Sequence, residues 1–379
     1  MTSQPRISAG ARPGPVDRPA RVLLLIEQLR RKAAGGIGTY VLGLIQGLTD
    51  LPDEGRPDIE LFASRPRTKP DPLATVGFPL RSSVLPGPLL TRAWDRGLLR
   101  TPGRFDVVHA LSMATAEPGR AALVSTVHDL LWRHVPDTYP ARGRAWHEAA
   151  LRRSLARSDR FLVPSDVVAG DLVDAGASPD RVTVVPMGCD HLPAPDSDAV
   201  DALLARLGVD GPFLLSVGTM EPRKNLVRLA SAYDRMRSSL PEPWPLVVVG
   251  PSGWGEQLHE HQGVVLAGMV TPPELAGLYA RARLLAYVPL MEGFGLPPVE
   301  AMLAGAPVVS SNVPSTGGAA YQVDPNDTDS IADGLLVVAT DEARRHELER
   351  AGRGHAAELS WSTIARRHVK LWDEVRAGG

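Results

Sequence analysis

Apolar runs of strand length and apolar residues at helical spacing alternate along most of this chain. The first run, residues 21–26 (Arg-Val-Leu-Leu-Leu-Ile), is followed by Tyr40, Val41, Leu44, Ile45 and Leu48, which recur every three or four positions. Further strand-like runs occupy residues 59–63, 106–110, 121–127, 160–164 and 181–190. The pattern begins again at 212–217, 245–250, 264–267 and 282–290, with helical spacing over 226–240, 272–280, 301–307, 329–339, 341–359 and 362–377. Continuous apolar runs suit strands covered on both faces, and strands alternating with helices predict a parallel sheet flanked by helices. Proline and aspartate breakers at 192–197 divide the pattern in two. The expected organisation is a tail over 1–19, a first α/β domain over 20–191, a linker over 192–211, a second α/β domain over 212–360 and a closing helix over 361–379.

The length of 379 residues suits two domains of ordinary size. At 44% hydrophobic and 22% charged, the mix is that of a globular protein. No apolar run reaches the roughly 18–20 residues of a membrane span. Residues 1–19 are rich in Pro, Gly, Ser and Arg and lack the apolar centre of a leader peptide, which predicts a disordered tail and a cytoplasmic protein. Cys189 is the single cysteine, which excludes an internal disulfide and a cysteine metal cluster. Its expected state is an inert, partly buried thiol. The net charge of −2 hides an asymmetry: residues 1–190 carry 25 Lys+Arg against 20 Asp+Glu, and residues 191–379 carry 16 against 23. That excess is too small and dispersed for a nucleic-acid binder, but it suggests that the first half faces something anionic.

The chemistry concentrates at residues 292–300, Glu-Gly-Phe-Gly-Leu-Pro-Pro-Val-Glu, between the run at 282–290 and the small-residue helical pattern at 301–307. Strand, glycine turn and helix start together bring free N–H groups to an anion, and Pro297 fits the first helical turn. Carboxylates repel phosphate, so Glu292 and Glu300 make sense as acceptors from hydroxyls at the two ends of a ligand whose middle is phosphate. Two more loops fit such a ligand. Gly36 and Gly38 follow the first strand as in nucleotide-binding units, although Val41 at the third glycine position argues against a dinucleotide fingerprint. Arg223 and Lys224, after the strand at 212–217, offer a planar fork and a compact charge.

The spacing Glu292-x7-Glu300, with Gly-Phe-Gly-Leu-Pro inside it and Glu-Ala-Met-Leu-Ala-Gly-Ala-Pro-Val-Val after it, resembles the paired-glutamate signature of retaining GT-B glycosyltransferases of family 4. The resemblance spans roughly residues 20–375, with its motifs in the expected order. It implies two Rossmann-like domains facing across a cleft, with the last helix crossing back to the first domain. It implies a nucleotide-sugar donor, no cofactor and no metal. By resemblance Gly293, Phe294, Gly295 and Leu296 meet the donor phosphates together with Arg223 and Lys224. Glu300 then takes the ribose hydroxyls, Glu292 the sugar hydroxyls, and backbone at Met269 and Val270 the base. Gly36, Gly38, Gly218 and Thr219 line the cleft. His128, in Val127-His-Asp-Leu-Leu-Trp132, ends a strand where such members carry a histidine near the scissile bond; a purely structural histidine is the other reading. His109 is a weaker candidate. The His-Asp-Leu-Leu-Trp run and Gly-Thr-x-Glu-Pro-Arg-Lys-Asn are similar to bacterial mannosyltransferases, favouring GDP-mannose over a UDP-hexose, with a glycan, lipid-linked or small-molecule acceptor. Alternatives are a sugar-nucleotide-binding protein without transferase activity and another GT-B enzyme such as an epimerase. Met187 and Cys189 replace the family's usual Asn and Val, Thr219 stands where an Arg is common, and the loop after Ser315 is short.

Between residues 84 and 104, Leu89, Leu90, Trp94, Leu98 and Leu99 alternate with Arg92, Arg96 and Arg100. A helix would set the arginines in one row beside a Leu/Trp face. Two readings stay open: peripheral contact with the anionic inner face of a membrane, or a helix packed on its own domain with the arginines in water.

Overall fold

A computed structural model describes residues 18–31, 35–240, 242–253, 258 and 261–378. The expected tail, apart from Arg18 and Pro19, lies outside them, as do Trp254 and Gly255 of the loop after residue 250. Strands β1 (Arg21–Leu25), β2 (Asp58–Ala63), β3 (Leu80–Ser82), β4 (Val107–Ala110), β5 (Ala122–Thr126), β6 (Arg160–Val163) and β7 (Val182–Val184) form one sheet. Its order is β3-β2-β1-β4-β5-β6-β7 and every pairing is parallel. Strands β8 (Leu214–Val217), β9 (Leu246–Val249), β10 (Val264–Gly268), β11 (Leu284–Tyr287), β12 (Val308–Ser310) and β13 (Tyr321–Gln322) form a second parallel sheet, β10-β9-β8-β11-β12-β13. The apolar runs become central strands because both faces are covered: Val22–Leu25, Val107–Ala110, Leu246–Val249 and Leu284–Tyr287 are all buried.

Strand order reverses between β1 and β4 in the first sheet and between β8 and β11 in the second. Ligands settle outside the carboxyl ends of strands at such switch points. The segments that follow β1, β8 and β11 carry Gly36 and Gly38, Arg223 and Lys224, and Glu292, respectively.

The closing helix, Trp361–Gly378, crosses to the first domain and lies along the helix Gly35–Thr49. Glycine makes this approach possible. A Cβ at Gly43 would sit 2.0 Å from the Trp361 ring, and one at Gly47 would sit 2.2 Å from the Trp361 carbonyl oxygen. Beneath them runs a buried relay whose donors are fixed by its ends. Trp372 Nε1 donates to His109 Nδ1 (3.2 Å), and His109 Nε2 then donates to Thr126 Oγ1 (2.9 Å). Thr126 meets Tyr40 Oη (3.2 Å), Tyr40 meets His368 Nε2 (2.8 Å), and His368 Nδ1 donates to the Ile364 carbonyl (2.8 Å). Burial lowers the His368 pKa to about 4 and holds His109 well below the usual range, so both rings stay neutral. His109 therefore ties the last helix to the sheet rather than serving the cleft, which removes it as a site candidate.

Three other expectations change. Residues 192–211 are not an open linker. Asp196 accepts from the Ala199 N–H and starts a helix, Ser197–Arg206, whose Val200 and Leu203 are buried. Val200 packs so close to Gly277 that a Cβ there would fall 2.2 Å from its Cγ2. The stretch 84–104 forms a helix only over Gly87–Asp95, ending before Gly97, whose φ of +66° stops it. Arg96 and Arg100 thus leave the predicted row, and Leu90 and Trp94 turn into the core while Val84, Leu89 and Leu98 stay exposed. Finally, Gly36 and Gly38 lie in the first turn of the helix Gly35–Thr49, where a loop was expected. No helix among the described residues is long and apolar enough to cross a membrane.

Candidate functional site

In the second domain, β8 ends at Val217 and the chain turns through Gly218 into a short 3-10 turn, Pro222–Lys224. Asn225 then adopts the left-handed conformation, φ +60° and ψ +28°. That backbone costs a non-glycine residue on the order of 1–3 kcal/mol. Asn tolerates it best, and here its Nδ2 donates to the carbonyls of Val288 (3.0 Å) and Pro325 (2.7 Å). The turn aims Arg223 and Lys224 at the segment after β11, where the Leu290 N–H donates to the Arg223 carbonyl (2.9 Å).

Glu292 Oε1 is the common acceptor. Lys224 Nζ lies 2.5 Å from it, Arg223 Nη1 2.6 Å and Tyr287 Oη 2.8 Å, and Lys224 also donates to Tyr287 Oη at 2.8 Å. Arg223 Nη2 reaches Glu221 at 2.5 Å. The Glu292 side chain is only 10% exposed. Burial alone would raise its pKa, but Lys224 and Arg223 outweigh burial and hold the carboxyl at about 2. The two cations face two carboxylates, so the cluster is balanced and every charge is paired.

The Gly293-Phe294-Gly295 turn feeds the helix Leu296–Ala304, with Gly295 at φ +91° as its N-cap. Short hydrogen bonds hold the turn: the Ser315 N–H donates to Phe294 O (3.0 Å), Ser315 Oγ to Gly295 O (2.5 Å) and Ser165 Oγ of the first domain to Gly293 O (2.7 Å). The short loop after Ser315 thus packs under the glycine turn and supports it; Ser315 and Thr316 are buried. Gly293 touches the opposite domain. A Cβ there would lie 2.3 Å from the His128 carbonyl oxygen and 2.8 Å from Asp129 Cβ. Glu292 and His128, predicted from separate halves, therefore sit on segments in contact.

His128 follows β5. Its Nε2 lies 3.0 Å from the Leu111 carbonyl, an acceptor only, so Nε2 carries the proton. Nδ1 is then a lone pair, buried and without a partner. Burial depresses the pKa, so the ring is a neutral acceptor near pH 7. Around it, a pocket of about 70 Å³ is lined by Ile37, Asp129, Trp132, Trp146 and His147 among others.

Glu300 lies one turn into the helix and is 8% exposed. Both of its oxygens already have partners: Tyr279 Oη donates to Oε2 (2.7 Å), and His191 Nε2 lies 3.2 Å from Oε1. His191 Nδ1 in turn accepts from Trp361 Nε1 (3.4 Å), so its Nε2 carries a proton without any need for positive charge. His191, Tyr279, Tyr287, Asn225 and Glu221 were not predicted. A lone histidine after a strand or a tyrosine within an apolar run carries no spacing signal.

Gly218 packs against the Lys224 stem, since a Cβ added there would meet the stem's carbons at 3.4 Å, and Thr219 follows it, half-buried. Met269 and Val270 follow β10, with Met269 among the exposed large side chains. Gly36 is exposed and faces open space, while Gly38 is buried. The structure brings together His128, Arg223, Lys224, Glu292 and Gly293; it gives no contact from Met269 or Gly36 to that cluster.

Comparison with known proteins shows the family and the fold. The family described as Glycosyltransferase Family 4 matches residues 34–191, and that described as Glycosyl transferases group 1 matches residues 211–341. The O-antigen chain mannosyltransferase B of Escherichia coli is 32% identical over 265 residues, covering 66% of this chain and 69% of that protein. The D-inositol 3-phosphate glycosyltransferase of Salinispora tropica is 28% identical, covering 97% of this chain and 88% of its own. Among solved structures, Anabaena HepE in complex with UDP and glucose superposes with a TM-score of 0.70 at 17% identity, over 94% of this chain and 100% of that one.

Proposed function

Because the chain belongs to glycosyltransferase family 4 and has the GT-B fold, we propose that it moves a hexose, with mannose favoured, from a nucleoside diphosphate sugar to a glycan, lipid-linked or small-molecule acceptor with retention of configuration. The observation that carries this reading is the buried Glu292 carboxylate, clamped by Lys224, Arg223 and Tyr287, with its neighbour Gly293 packed on the His128 backbone of the first domain. A diphosphate entering here takes the two cations from Glu292, neutralises its charge on them and on the N–H groups of residues 293–296, and frees Glu292 to accept from sugar hydroxyls. His128 Nδ1 accepts from a further hydroxyl; its tautomer makes it no proton donor on that side.

Among the described residues no side chain at the site stands as a nucleophile with an adjacent base, so the acceptor oxygen attacks C1 on the face that the diphosphate leaves. The C1–phosphate oxygen bond breaks, the new C1–O bond forms, and the departing phosphate oxygen takes the acceptor's proton. Stabilising that leaving group is the main electrostatic task, and Arg223 and Lys224 perform it without a metal. Gly218 and Thr219 bound the phosphate side, Met269 and Val270 offer backbone to the base, and Glu300, already oriented by Tyr279 and His191, meets the ribose.

GDP-mannose is favoured through the mannosyltransferase relative, and a UDP-hexose comes second, since the HepE structure holds UDP and glucose. A thermal-shift panel of nucleoside diphosphates tests the donor: stabilisation by UDP and not GDP rejects GDP-mannose. NMR of the product tests retention, and a β-linkage from an α-linked donor rejects it. Activity surviving EDTA supports metal independence, whereas an absolute need for added Mn²⁺ overturns the assigned role of Arg223 and Lys224. Leu90 and Trp94 in the core with Arg92, Arg96 and Arg100 exposed fit the helix packed on its own domain, and the exposed Val84, Leu89 and Leu98 are what supports peripheral contact with an anionic membrane. Sedimentation with anionic vesicles at low and high salt checks that contact.

A further inference from the structure

His128 is held by a hydrogen bond at one nitrogen only. Its Nε2 donates to the Leu111 carbonyl (3.0 Å), while the buried Nδ1 has no partner. The rest of its orientation comes from packing. Tyr40 meets the imidazole edge-on, with ring centroids 4.9 Å apart and planes at 78°. Edge-on is one of the arrangements that aromatic rings prefer, so Tyr40 limits how the imidazole can tilt. Tyr40 is 1% exposed and stands in the helix Gly35–Thr49, three residues after Ile37 at the His128 pocket.

Tyr40 is fixed in turn by the relay under the closing helix. His368 Nδ1 donates to the Ile364 carbonyl, so its Nε2 is an acceptor and takes the Tyr40 proton (2.8 Å). The Tyr40 oxygen then accepts from Thr126 (3.2 Å), and Thr126 accepts from His109 Nε2 (2.9 Å), whose Nδ1 accepts from Trp372. His109, Thr126, Tyr40 and His368 each accept one proton and donate one, all in a single direction. Both ends, Trp372 and Ile364, belong to the closing helix. Such a chain has no spare partner: deleting one buried member leaves its neighbours unpaired. The relay also joins the strands that carry His128. His109 lies on β4 and Thr126 ends β5, and Leu111 and His128 each follow two residues later. The His109–Thr126 and Leu111–His128 bonds are therefore successive rungs between one pair of parallel strands, each linking residues 17 apart.

We propose that Tyr40 and His368 are positioning residues for His128: the closing helix sets the Tyr40 ring through His368, and Tyr40 sets the imidazole so that its free Nδ1 meets the sugar hydroxyl. Neither residue touches substrate. The inference rests on the transferase reading for the task of His128, and on separate residues for its evidence. The same helix serves the other domain at its start, where Trp361 Nε1 donates to His191 (3.4 Å), the partner of Glu300 Oε1 (3.2 Å). One helix thus supports both acceptors, His128 on the first domain and Glu300 on the second.

Tyr40→Phe, His368→Leu, His368→Gln and Val375→Ala in the full chain test it. The readouts are kcat with the best donor found, affinity for GDP or UDP by calorimetry, the melting temperature, and the His128 ring signals in long-range NMR of ¹⁵N-histidine-labelled protein, assigned through His128→Gln. Tyr40→Phe and His368→Leu should each lower kcat about ten-fold, as a shift of less than 1 Å would. Affinity for GDP or UDP should hold within about two-fold, because His128 meets the sugar and not the nucleotide. His368→Gln keeps an acceptor where Nε2 stood and should recover most of kcat. Val375 is buried in the same helix but is no member of the relay, so Val375→Ala should lower the melting temperature and leave kcat within about two-fold. The His128 signals should move in Tyr40→Phe and His368→Leu and return in His368→Gln. A kcat within about two-fold of wild type in both Tyr40→Phe and His368→Leu overturns the proposal. So does His368→Gln as slow as His368→Leu, or an equal loss of kcat in Val375→Ala. Tyr40→Phe carries the test should His368→Leu not fold. A chain that turns over no donor sinks the transferase reading, and the His128 signals then decide the positioning alone: movement in His368→Leu with return in His368→Gln supports it, and no movement refutes it.

Discussion

Replacing Gly293 by alanine tests whether the two domains must meet at the glycine turn. The added Cβ falls 2.3 Å from the His128 carbonyl oxygen and 2.8 Å from Asp129 Cβ. An ordinary contact begins at 3.4 Å, so the first shortfall is about 1.1 Å. The nearest neighbour is backbone at the end of β5, and no rotamer change removes it. Relief comes from moving one domain against the other, and the Ser165 hydrogen bond to the Gly293 carbonyl opposes that movement. Overpacking of this kind costs about 1–3 kcal/mol of stability. Displacing reacting groups by about 1 Å can cost roughly 10²-fold in rate. The expected result for Gly293→Ala is therefore a hundred-fold loss of kcat/KM with a melting temperature lowered by only a few degrees. Gly143 supplies the control. It lies inside the helix Ala141–Arg157, and a Cβ there meets nothing within 4 Å. Gly143→Ala should leave turnover unchanged and add roughly 0.5–1 kcal/mol of stability. A Gly293→Ala enzyme with turnover within two-fold of wild type and an unchanged melting curve would refute the close-approach reasoning.

Further outcomes follow from the same geometry. Glu292→Ala and Lys224→Ala should each cut turnover by about 10²-fold or more, read from steady-state rates with the best donor found. The same pair sets an acid limit. The Glu292 carboxyl falls from its ordinary 4.5 to about 2 on folding, so its stabilisation, on the order of 3 kcal/mol, is complete above pH 4.5 and fades as the pH drops towards 2. Lys224→Met should shrink that loss in acid melting curves, and an identical pH profile would disprove the coupling. His191→Phe leaves Glu300 Oε1 and Trp361 Nε1 without their partners; donor KM should rise about ten-fold with kcat nearly kept, His191→Gln should recover part of it, and a pure kcat effect would refute the positioning role. Cys189 is buried, with its pKa pushed up to about 12 by burial first and by Asp190 and Glu300 next, so a thiol reagent at pH 8 should label it only after unfolding.

The elements of the fold were legible because each buried strand had to be apolar throughout and each covering helix apolar on one side. Most strand ends differ by a residue or two from the sequence reading, as where 121–127 narrow to Ala122–Thr126 and 264–267 extend to Gly268, but 282–290 narrow to Leu284–Tyr287 and 181–190 to Val182–Val184. The errors arose where tertiary contacts overrode the local signal. Residues 192–197 look like breakers, yet Asp196 caps a helix and Gly277 admits its Val200. The spacing of Arg92, Arg96 and Arg100 suits one helix, yet Gly97 in the left-handed region ends it first. At 190–191 nothing in Asp-His announces that Asp190 accepts from the Trp361 N–H (2.7 Å) or that His191 reaches Glu300.

At the candidate site, sequence disclosed the residues with charge and the glycines between them, but not what those charges touch. Glu292 and Glu300 are the same residue type eight positions apart, and sequence alone offers them matching tasks as hydroxyl acceptors. Their surroundings separate them. Glu292 takes two cations and a tyrosine on one oxygen, an arrangement that a phosphate can dismantle by competing for the cations. Glu300 takes one donor on each oxygen, Tyr279 on one side and His191 on the other, and neither is a lysine or arginine that a rival anion could draw away. The first carboxylate can therefore change partners when a diphosphate arrives, while the second keeps its orientation throughout. A group whose contacts change along the reaction can favour the transition state over the bound substrate, and a group whose contacts stay fixed can only bind. On that ground the proposed function assigns Glu292 to turnover and Glu300 to donor affinity, and the two substitutions above, Glu292→Ala and His191→Phe, separate those assignments by their effects on kcat and on donor KM.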